Sequence, residues 1–515
     1  MAANPEDPSA GVLRADNAKL AHEIDNYAEV IHDAAQADQA EHTMSIRDAL
    51  RIHKKAVIWS MVLSAALIME GYDVVVIGSF YEQPAFLKRF GIVNPATGQK
   101  LIPAPWQSGL SNGSAAGGII GLIINGWASE RFGPRRTYII SMLGMIISIF
   151  GPVFSQTLAQ LTASEIICGL FWGVFQTLTT AYASEVCPIA LRHYLTAYIN
   201  MCWGIGIFLS SGVVRATLTI NSDWGWRLPF VIQAAMGEAE QNVLRLTNRD
   251  YFSKEDAKRS VANMIHTTAI EREMQAGTSY IQCFSGIDLR RTEIAMMVFA
   301  IQLLSGENLI GQGVQFFVQA GLGTVASFDV NLALNSMFII GTVASWFRTS
   351  LFTHVATLHA DTAYSKSNAA KWAAGALLVA LNFAYNATLG AVCYVIIAEV
   401  GSTRLRAKTI VLARCAYQLM NIICGIIVPR MLSPTAWNWG PKSGFFWFVS
   451  AALSGLYCWF RLPETMGRSY GELDILFENK VPAWRFSKSK VDQFGLPDAP
   501  LTPSDEKVSH ESKQE

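Results

Sequence analysis

Two acidic residues stand three positions apart in an apolar run near the start of the chain. Glu70 and Asp73 lie in Glu-Gly-Tyr-Asp, within a stretch from about Ala56 to Phe80 that is long enough to cross a bilayer as a helix. Residues three apart share one helix face, so the two carboxyl groups are expected to lie together. Because a carboxylate is costly in apolar surroundings and like charges repel, the pair is predicted to bind a proton near neutral pH. The alternative is a carboxyl group that another buried group neutralises.

One cationic residue is also expected inside the membrane. Arg414 lies within the apolar stretch from about Thr409 to Met431. A guanidinium in that position needs an anionic partner, and the carboxyl groups of the first span are the best candidates. The alternative is an arginine near the cytoplasmic boundary whose long side chain reaches the lipid headgroups. Asp73, Glu70 and Arg414 form the predicted proton-coupling group.

Amide side chains recur along a later apolar stretch, from about Glu293 to Leu322. At about 100° per residue, Gln302 and Gln312 fall within about 80° of each other on a helix, and Asn308 lies between them in the sequence. Amides donate and accept hydrogen bonds, which suits a ligand rich in hydroxyl groups. Plain packing is the commoner role of a single aromatic side chain. The aromatic residues that are candidates to stack on such a ligand are Phe316, Phe317, Tyr394 and Trp372.

One eight-residue pattern occurs twice, at matching ends of two apolar stretches. Glu185-Val186 is followed by Leu191-Arg192, and Glu399-Val400 is followed by Leu405-Arg406, with a shift of 399 − 185 = 214 residues. Two copies in the same context indicate two related halves. The alternative for these charges is a set of arginines that only orient the chain in the membrane, with incidental acids. Our interpretation is a cytoplasmic gate whose charges pair in one state and separate in the other, formed by Glu130, Arg131, Arg135, Arg136, Glu185, Arg192, Glu399 and Arg406.

The composition identifies the class of protein. Of 515 residues, 51% are hydrophobic and 16% are charged, whereas a soluble domain has about 25% charged residues. The apolar residues come in uninterrupted runs of about 20, the length that crosses a bilayer as a helix. Lys plus Arg and Asp plus Glu both number 40, so net charge predicts no nucleic-acid partner. The eight cysteines lack C-x-x-C spacing, and we find no motif for a metal, a cofactor or an enzymatic nucleophile.

The apolar runs divide the chain into five predicted segments. These are a flexible cytoplasmic N-terminal tail (1–55), an N-terminal helix bundle (56–236), a loop with amphipathic helices (237–292), a C-terminal helix bundle (293–461) and a cytoplasmic C-terminal tail (462–515). Clusters of arginine and lysine before the first span and after the second place both regions in the cytoplasm. Ten stretches are convincing spans. A further apolar segment from Trp226 gives way to charged residues at Gly237, and the interval 348–368 holds no spanning segment.

Several motifs in the expected order resemble the sugar porters of the major facilitator superfamily. The segment Gly126 to Arg136 resembles the superfamily's loop between its second and third helices, and Pro463 to Arg468 resembles the sugar-porter C-terminal motif. The stretches that narrow the resemblance to the fungal α-glucoside (maltose-type) proton symporters are Glu70 to Asp73, Gly78 to Phe80, Ser402 to Lys408 and Pro434 to Trp439. The resemblance covers about Lys54 to Pro482.

The resemblance implies an all-α, polytopic membrane protein with two six-helix bundles and a sugar site between them. Set against those twelve helices, the sixth and the ninth are truncated or missing here. Three positions also depart from the family pattern. Gly118 stands where the maltose-type porters have an acidic residue in their second helix, Gly206-Ile207 stands where sugar porters have Gly-Gln, and Glu307 replaces a neutral residue.

Taken together, these features predict a transporter of an α-glucoside or other sugar. We expect proton symport by alternating access, in the plasma membrane, with the lipid bilayer, a sugar and a proton as partners, no cofactor, and a monomeric state. The alternative is a sugar-porter relative that does not transport, either a sensor or a defective product. An enzyme is disfavoured because no catalytic motif is present.

Overall fold

The computed structural model describes residues 44–93, 98, 100–186, 189–233, 279–319, 321–346, 368–402, 404–433, 436–437, 439 and 442–489. The predicted N-terminal tail up to residue 43 and most of the predicted loop 237–292 lie outside these residues. The interval 347–367, which includes most of the predicted helix-free stretch, lies outside them as well. Among the described residues the regular structure is helical, apart from one antiparallel pair of short strands, β1 (Ile92–Val93) and β2 (Lys100–Leu101).

The N-terminal half contains six described helices that build one bundle. A short helix, Ile46–Ile52, precedes them, and its N-terminus is capped by the side chain of Ser45. The first of the bundle helices has two parts, which meet at Ala65. The bundle helices are α1 (Lys54–Ser64 and Ala66–Phe80), α2 (Ala104–Phe132), α3 (Pro134–Phe154), α4 (Leu158–Val186), α5 (Ile189–Thr217) and α6 (224–233).

The C-terminal half contains five described helical rods. The first, α7, begins at Gly286, whereas the sequence predicted the start of the C-terminal bundle at residue 293. The first turns of α7 carry charged residues, so they are not part of the apolar stretch from which that boundary was predicted. The rods are α7 (Gly286–Leu304, continued by Glu307–Gly311 and Gly313–Gln319), α8 (Thr324–Ser345), α9 (Asn368–Tyr385, a π-helical turn Asn386–Gly390, and Ala391–Val400), α10 (Arg406–Leu432) and α11 (Ser443–Arg461).

The ten convincing spans predicted from the sequence correspond to α1–α5 and α7–α11. Eight of these ten are long and apolar enough to cross a membrane by length and composition alone. The other two are α2, which is rich in glycine and serine, and α7, which is interrupted at Gly306 with a φ of 97°. The described part of α6 covers residues 224–233, and the residues that follow it lie outside the described part of the chain.

Small residues allow α2 to pack closely against α4. A Cβ atom added at Gly117 would lie 1.9 Å from the carbonyl oxygen of Ile166, and one at Gly121 would lie 1.9 Å from that of Leu170. Such distances are far below van der Waals contact, so only glycine permits this approach. α2 packs on more than one side, because it also contacts α10 extensively.

The two bundles contact each other at both ends. At the outer end, Val314 and Phe328 of the C-terminal half join the apolar cluster around Tyr72, Phe80 and Trp226 of the N-terminal half. At the inner end, Tyr194 and Trp346 lie with ring centroids 6.4 Å apart. The polar side chains between these two contact regions are therefore enclosed by protein.

Two helices present their apolar side chains outward, toward the expected lipid. Exposed large side chains line α3 and α11; they include Ile140, Ile147, Phe154, Phe445, Leu453 and Trp459. Continuous apolar exposure of this extent is the normal surface of a membrane helix that faces hydrocarbon. This arrangement fits the predicted multi-pass membrane protein.

Residues 463–489 belong to a second compact unit. A helix, Tyr470–Glu478, starts with a capping box in which Ser469 and Glu472 exchange hydrogen bonds between side chains and backbone. The Arg468 guanidinium donates to the carbonyl oxygens of Phe486 at 2.5 Å and Ser489 at 2.7 Å. These bonds, with the packing of Phe477 on Phe486, fold the segment onto itself.

Candidate functional site

Asp73 contacts a second buried carboxyl group, that of Glu165 on α4. The two residues are 3% and 1% exposed, and their carboxyl groups interact directly. Gln233 of α6 donates a hydrogen bond from Nε2 to Asp73 Oδ1 at 3.2 Å. Because two ionised carboxylates repel each other in an apolar interior, such a pair is suited to bind a proton.

The sequence prediction did not identify Glu165. The rule that selected Asp73, an acidic residue well inside an apolar span, applies equally to Glu165 in the stretch Leu158–Val186. What the rule does not provide is the pairing, because 92 residues separate the two in the sequence (165 − 73). The expected partner of Asp73 was Glu70, but Glu70 interacts mainly with a different group.

Glu70 begins a chain of hydrogen bonds that crosses from one bundle to the other. The Gln176 amide of α4 donates to Glu70 Oε1, and the Gln418 amide of α10 donates to Gln176 Oε1 at 3.2 Å. A Cβ atom added at Gly118 would lie 3.2 Å from Gln418 Nε2. The position where the family pattern has an acidic side chain is therefore next to the Gln418 amide.

Arg414 is buried at the centre of the protein and lies among three aromatic rings. Its guanidinium carbon is 4.3 Å from the ring centroid of Phe299, 5.0 Å from that of Tyr394 and 5.3 Å from that of Tyr417. Only 1% of the residue is exposed, which argues against the alternative that the side chain reaches the headgroups. Its guanidinium interacts electrostatically with Glu70, and the pairing of Arg414 with a carboxyl group of the first span stays a prediction. Contact with aromatic faces stabilises the charge where water is absent.

A second carboxyl group, that of Glu307, also interacts electrostatically with Arg414. Glu307 opens the helical segment that follows the interruption of α7, and the hydroxyl of Tyr385 on α9 faces its carboxyl group. Buried polar atoms without a hydrogen-bond partner occur on both carboxyl groups, on the guanidinium and on Asn308. Such atoms fit a ligand that is rich in hydroxyl groups, because a hydroxyl donates to a carboxylate and accepts from a guanidinium.

The structure separates the predicted ligand-contacting residues into two sets. Gln302 is buried and donates to the carbonyl oxygen of Gly390 at 3.3 Å, and Gln312 is buried nearby on α7. Tyr394 lies over Arg414, so its ring is already occupied by the guanidinium. Phe316 packs against Phe317 with centroids 5.8 Å apart. Trp372 is not brought to the polar centre, since it is 54% exposed near the start of α9.

A group of polar residues between α5, α8 and α9 was not predicted. Asn200 donates to Thr342 at 3.0 Å and to Asn386 at 3.2 Å, and Asn335 donates to Ser211 at 2.6 Å. The sequence held a signal for this group, because Asn200 and Ser211 lie in the same span as Gly206-Ile207, where sugar porters have Gly-Gln. These hydrogen bonds join the two bundles through α5, the helix in which Ile207 stands in place of the glutamine of the family pattern.

The predicted gate residues differ in their surroundings. Arg192, Glu399 and Arg406 are buried at the inner ends of α5, α9 and α10, and each takes part in further interactions. Arg131, Arg135 and Arg136 are exposed where α2 ends and α3 begins. The side chains of Glu130 and Glu185 lie outside the described part of the structure. Among the described residues, no group of three or more His, Cys, Asp or Glu side chains could hold a metal ion.

Comparison with known proteins gives a consistent result. The family described as "Sugar (and other) transporter" matches residues 59–477. A general alpha-glucoside permease of Saccharomyces cerevisiae is 34% identical over 507 residues, which cover 90% of this chain and 82% of the permease. A maltose permease of the same yeast is 34% identical over 510 residues, which cover 90% of this chain and 83% of that protein. The resemblance that the motifs indicated is confirmed.

Solved structures show the same fold. The proton:xylose symporter of the major facilitator superfamily, bound to 6-bromo-6-deoxy-D-glucose, has a TM-score of 0.66 at 19% identity and covers 82% of this chain and 99% of its own. The inward open conformation of the xylose transporter from E. coli has a TM-score of 0.56 at 20% identity, with coverage of 82% and 99%. The predicted all-α, two-bundle membrane fold is therefore confirmed.

Proposed function

Because this chain belongs to the sugar transporter family, a family of membrane transporters and not of enzymes, we propose that it transports an α-glucoside together with a proton. Alternating access of the two bundles moves both solutes across the plasma membrane, and one monomer is sufficient. Maltose and trehalose are the first substrates to test, because both are α-linked glucosides and the relatives are described as alpha-glucoside and maltose permeases.

The observation that carries this proposal is the buried Asp73–Glu165 pair. In the membrane interior such a pair is neutral only when it holds protons, so loading and unloading it changes the charge of the N-terminal bundle. The protein changes between its outward-facing and inward-facing states more easily when the buried pair is neutral than when it is charged, because burial of net charge is costly. This supports proton coupling even though Gly118 replaces the usual acidic residue of α2.

The amides and the unpartnered carboxyl and guanidinium atoms support a sugar as the second solute. Gln302, Gln312 and Asn308 offer donors and acceptors, and Glu70 and Arg414 extend the same polar surface across both bundles. A neutral polyol satisfies such a mixed set better than a charged solute does, since it can donate and accept at every hydroxyl. Phe316 remains a candidate for ring stacking. Tyr394 would act by holding Arg414.

The buried charges at the inner ends of the helices are suited to act as the cytoplasmic gate. Glu399 and Arg406 flank the turn between α9 and α10, and Arg192 occupies the corresponding place at the start of α5. We assign the gate to these three residues together with Glu130, Glu185, Arg131, Arg135 and Arg136. Their pairing would hold the inner end closed while the outer end is open.

Uptake of radiolabelled maltose or trehalose in a transport-null yeast strain tests the proposal. We expect accumulation driven by an inward proton gradient and abolished by a protonophore. Asp73→Asn and Glu165→Gln should each lose accumulation by at least about tenfold while keeping exchange of internal for external sugar, because exchange needs no change in the charge of the empty carrier. Gln156→Ala, on the exposed outer surface, is the control that should behave as wild type.

The outcome also separates transport from the alternative. Protein that is present at the cell surface but takes up no sugar, with or without a proton gradient, would contradict transport and favour a sensor or a defective product. Accumulation that survives both Asp73→Asn and Glu165→Gln would contradict the role of the carboxyl pair.

A further inference from the structure

Two glutamine side chains face each other across the bundles, on the outer side of the proposed sugar site. Gln107 lies in the first turn of α2 and Gln315 in the last segment of α7, and the two residues are 5% and 3% exposed. Gln315 Nε2 donates to Gln107 Oε1 at 3.4 Å. This distance is long for a hydrogen bond between two amides. The two bundles therefore meet here through a contact that another hydrogen-bonding group can replace.

The position of Gln315 on α7 is one turn farther out than that of Gln312. The backbone N–H of Phe316 donates to the carbonyl oxygen of Gln312 at 3.0 Å, so this part of the chain forms a helical turn. One turn rises about 5.4 Å along the helix axis, which is roughly the length of one glucosyl unit. Because α7 starts at the cytoplasmic end, Gln315 also lies farther out than Gln302 and Asn308.

Gln107 is held in one orientation by hydrogen bonds within the N-terminal bundle. Its Nε2 donates to the carbonyl oxygen of Ile102 at 2.9 Å. The hydroxyl of Tyr81 donates to the backbone carbonyl oxygen of Gln107 at 3.0 Å, and a second hydrogen bond of 2.8 Å joins that hydroxyl to Ser111 Oγ. Among the described residues, Gln107 Oε1 accepts only the long bond from Gln315. This oxygen is therefore a fixed acceptor with room for a stronger donor.

Two amide oxygens on α7 are buried without a donor. Oε1 of Gln312 and Oε1 of Gln315 have no hydrogen-bond partner among the described residues. Their surroundings are apolar, since Ile102 and Val314, the neighbours of the glutamine pair, belong to the apolar cluster at the outer end. A buried acceptor without a donor is costly. These oxygens therefore favour a ligand whose hydroxyl groups reach them.

We propose that Gln107 and Gln315 form an outer subsite that binds the second glucosyl unit of an α-glucoside, while Gln302, Asn308 and Gln312 bind the first. Hydroxyl groups of the second unit donate to Oε1 of both outer glutamines and accept from Gln315 Nε2. The sugar thus takes the place of the bond between the two amides. This inference rests on the proposed function and deepens it, because it makes the length of the glucoside part of what the site recognises.

Counterflow in proteoliposomes tests the outer subsite with two sugars of different length. Maltose has two glucosyl units, whereas methyl α-glucoside has one α-linked unit and a methyl group. Purified full-length wild type should reach half-saturation at a lower concentration of maltose than of methyl α-glucoside. Gln315→Met keeps the length of the side chain and removes the amide. It should raise the half-saturating maltose concentration about three- to tenfold, the loss of one or two neutral hydrogen bonds, and leave that of methyl α-glucoside within about twofold.

A second variant and a matched control accompany Gln315→Met. Gln107→Met should raise the half-saturating maltose concentration about two- to fivefold, because only its Oε1 is available to the sugar. It keeps the test decisive if Gln315→Met does not fold. Gln83 is a buried glutamine at the same end, and it donates to Thr217 at 3.3 Å and to the carbonyl oxygen of Gly225 at 2.8 Å within the N-terminal bundle. Gln83→Met should leave the ratio of the two concentrations unchanged.

The ratio of the two half-saturating concentrations separates binding from a merely structural role. If the amide pair only held the outer end closed, its loss would change both concentrations by the same factor. A ratio that stays at the wild-type value in both Gln315→Met and Gln107→Met would therefore overturn the outer subsite and leave sugar transport intact. Equal concentrations for the two sugars in wild type would overturn it as well. A wild type that shows no counterflow of either sugar would instead contradict the proposed function.

Discussion

At the scale of single residues, the acidic side chains of the interior do not all occur at the positions that the family pattern leads us to expect. Gly118 lacks the acidic side chain that the family pattern has there, and the space beside it is taken by the amide of Gln418. Glu165 on α4 and Glu307 on α7 each place buried carboxyl oxygens in the interior. Acidic groups are therefore present in the interior, although one expected position has lost its acid.

Glu82 provides a residue-scale prediction outside the membrane-spanning segments. It lies in the turn after α1, is half-buried, and its burial raises the pKa of its carboxyl group from 4.5 to about 7. Between these two values the folded protein binds more protons than the unfolded chain, so the free energy of unfolding must fall as pH rises through this interval. The Glu82 contribution is fully present below 4.5 and is lost above about 7.

Thermal unfolding of detergent-solubilised protein measures this dependence. Glu82→Gln should be more stable than wild type at the upper end of the interval and equal to it at the lower end, because the amide never ionises. Parallel pH profiles for wild type and Glu82→Gln would contradict the prediction.

At the scale of elements, the close approach of helices is set by individual glycines. A Cβ atom at Gly206 of α5 would lie 2.0 Å from the carbonyl oxygen of Ile68 on α1, whereas nothing lies within 4 Å of one at Gly212 on the same helix. The two glycines share a helix and differ in what they face. They therefore form a matched pair for testing how α1 and α5 pack.

Gly206→Ala should destabilise the protein by about 1–3 kcal/mol or more, because the added methyl group forces α1 and α5 apart. Gly212→Ala should be neutral or slightly stabilising, since alanine favours the helix and meets no neighbour. The yield of monodisperse protein and its unfolding temperature in detergent measure the difference. Equal effects of the two substitutions would show that the α1–α5 contact is not so tight.

The interruptions of the helices matter as much as their packing. Gly306 ends the first part of α7 just before Glu307, and the π-helical turn Asn386–Gly390 in α9 turns Asn386 toward Asn200 of α5. π-helical turns occur frequently at functional sites. Neither interruption was read from the sequence, because each lies inside a stretch that was predicted as one continuous span.

At the scale of the whole molecule, the two bundles are joined at the outer end by an ion pair. Arg215 at the end of α5 and Asp329 near the start of α8 lie 2.6 Å apart, and both are partly exposed. An exposed pair of this kind contributes about 0–1 kcal/mol, which is enough to bias an equilibrium between two states without fixing it. We therefore expect it to favour closure of the outer end.

Asp329→Asn should increase opening of the outer end by about two- to fivefold, since about 1 kcal/mol is the upper limit for such a pair. The reporter is Gln315→Cys, a buried position that faces Gln107 across the bundles at 3.4 Å. Its rate of labelling by a membrane-impermeant maleimide measures opening. The exchanged pair Arg215→Asp/Asp329→Arg should return the rate toward that of the parent. Labelling that is insensitive to all three substitutions would argue against the pair as a latch.

The sequence by itself determined the class of this protein, because span length, hydropathy and charge placement are local properties. Ten spans, the eight-residue repeat that ends at Arg192 and Arg406, the family motifs and the buried acids Glu70 and Asp73 all followed from stretches no longer than one helix. A carboxyl group inside an apolar run indicates a functional site whatever direction its side chain takes in the folded protein.

Only the tertiary structure decided which groups meet. The contact of Asp73 with Glu165, the placement of Gln418 beside Gly118 and the stacking of Arg414 on Phe299 and Tyr394 join residues that are far apart in the sequence. Trp372, a reasonable candidate by residue type, proved to lie at an exposed helix end. The physical reason is that the interaction between buried charges falls with distance and depends on the surrounding dielectric, and both are set by how the helices pack.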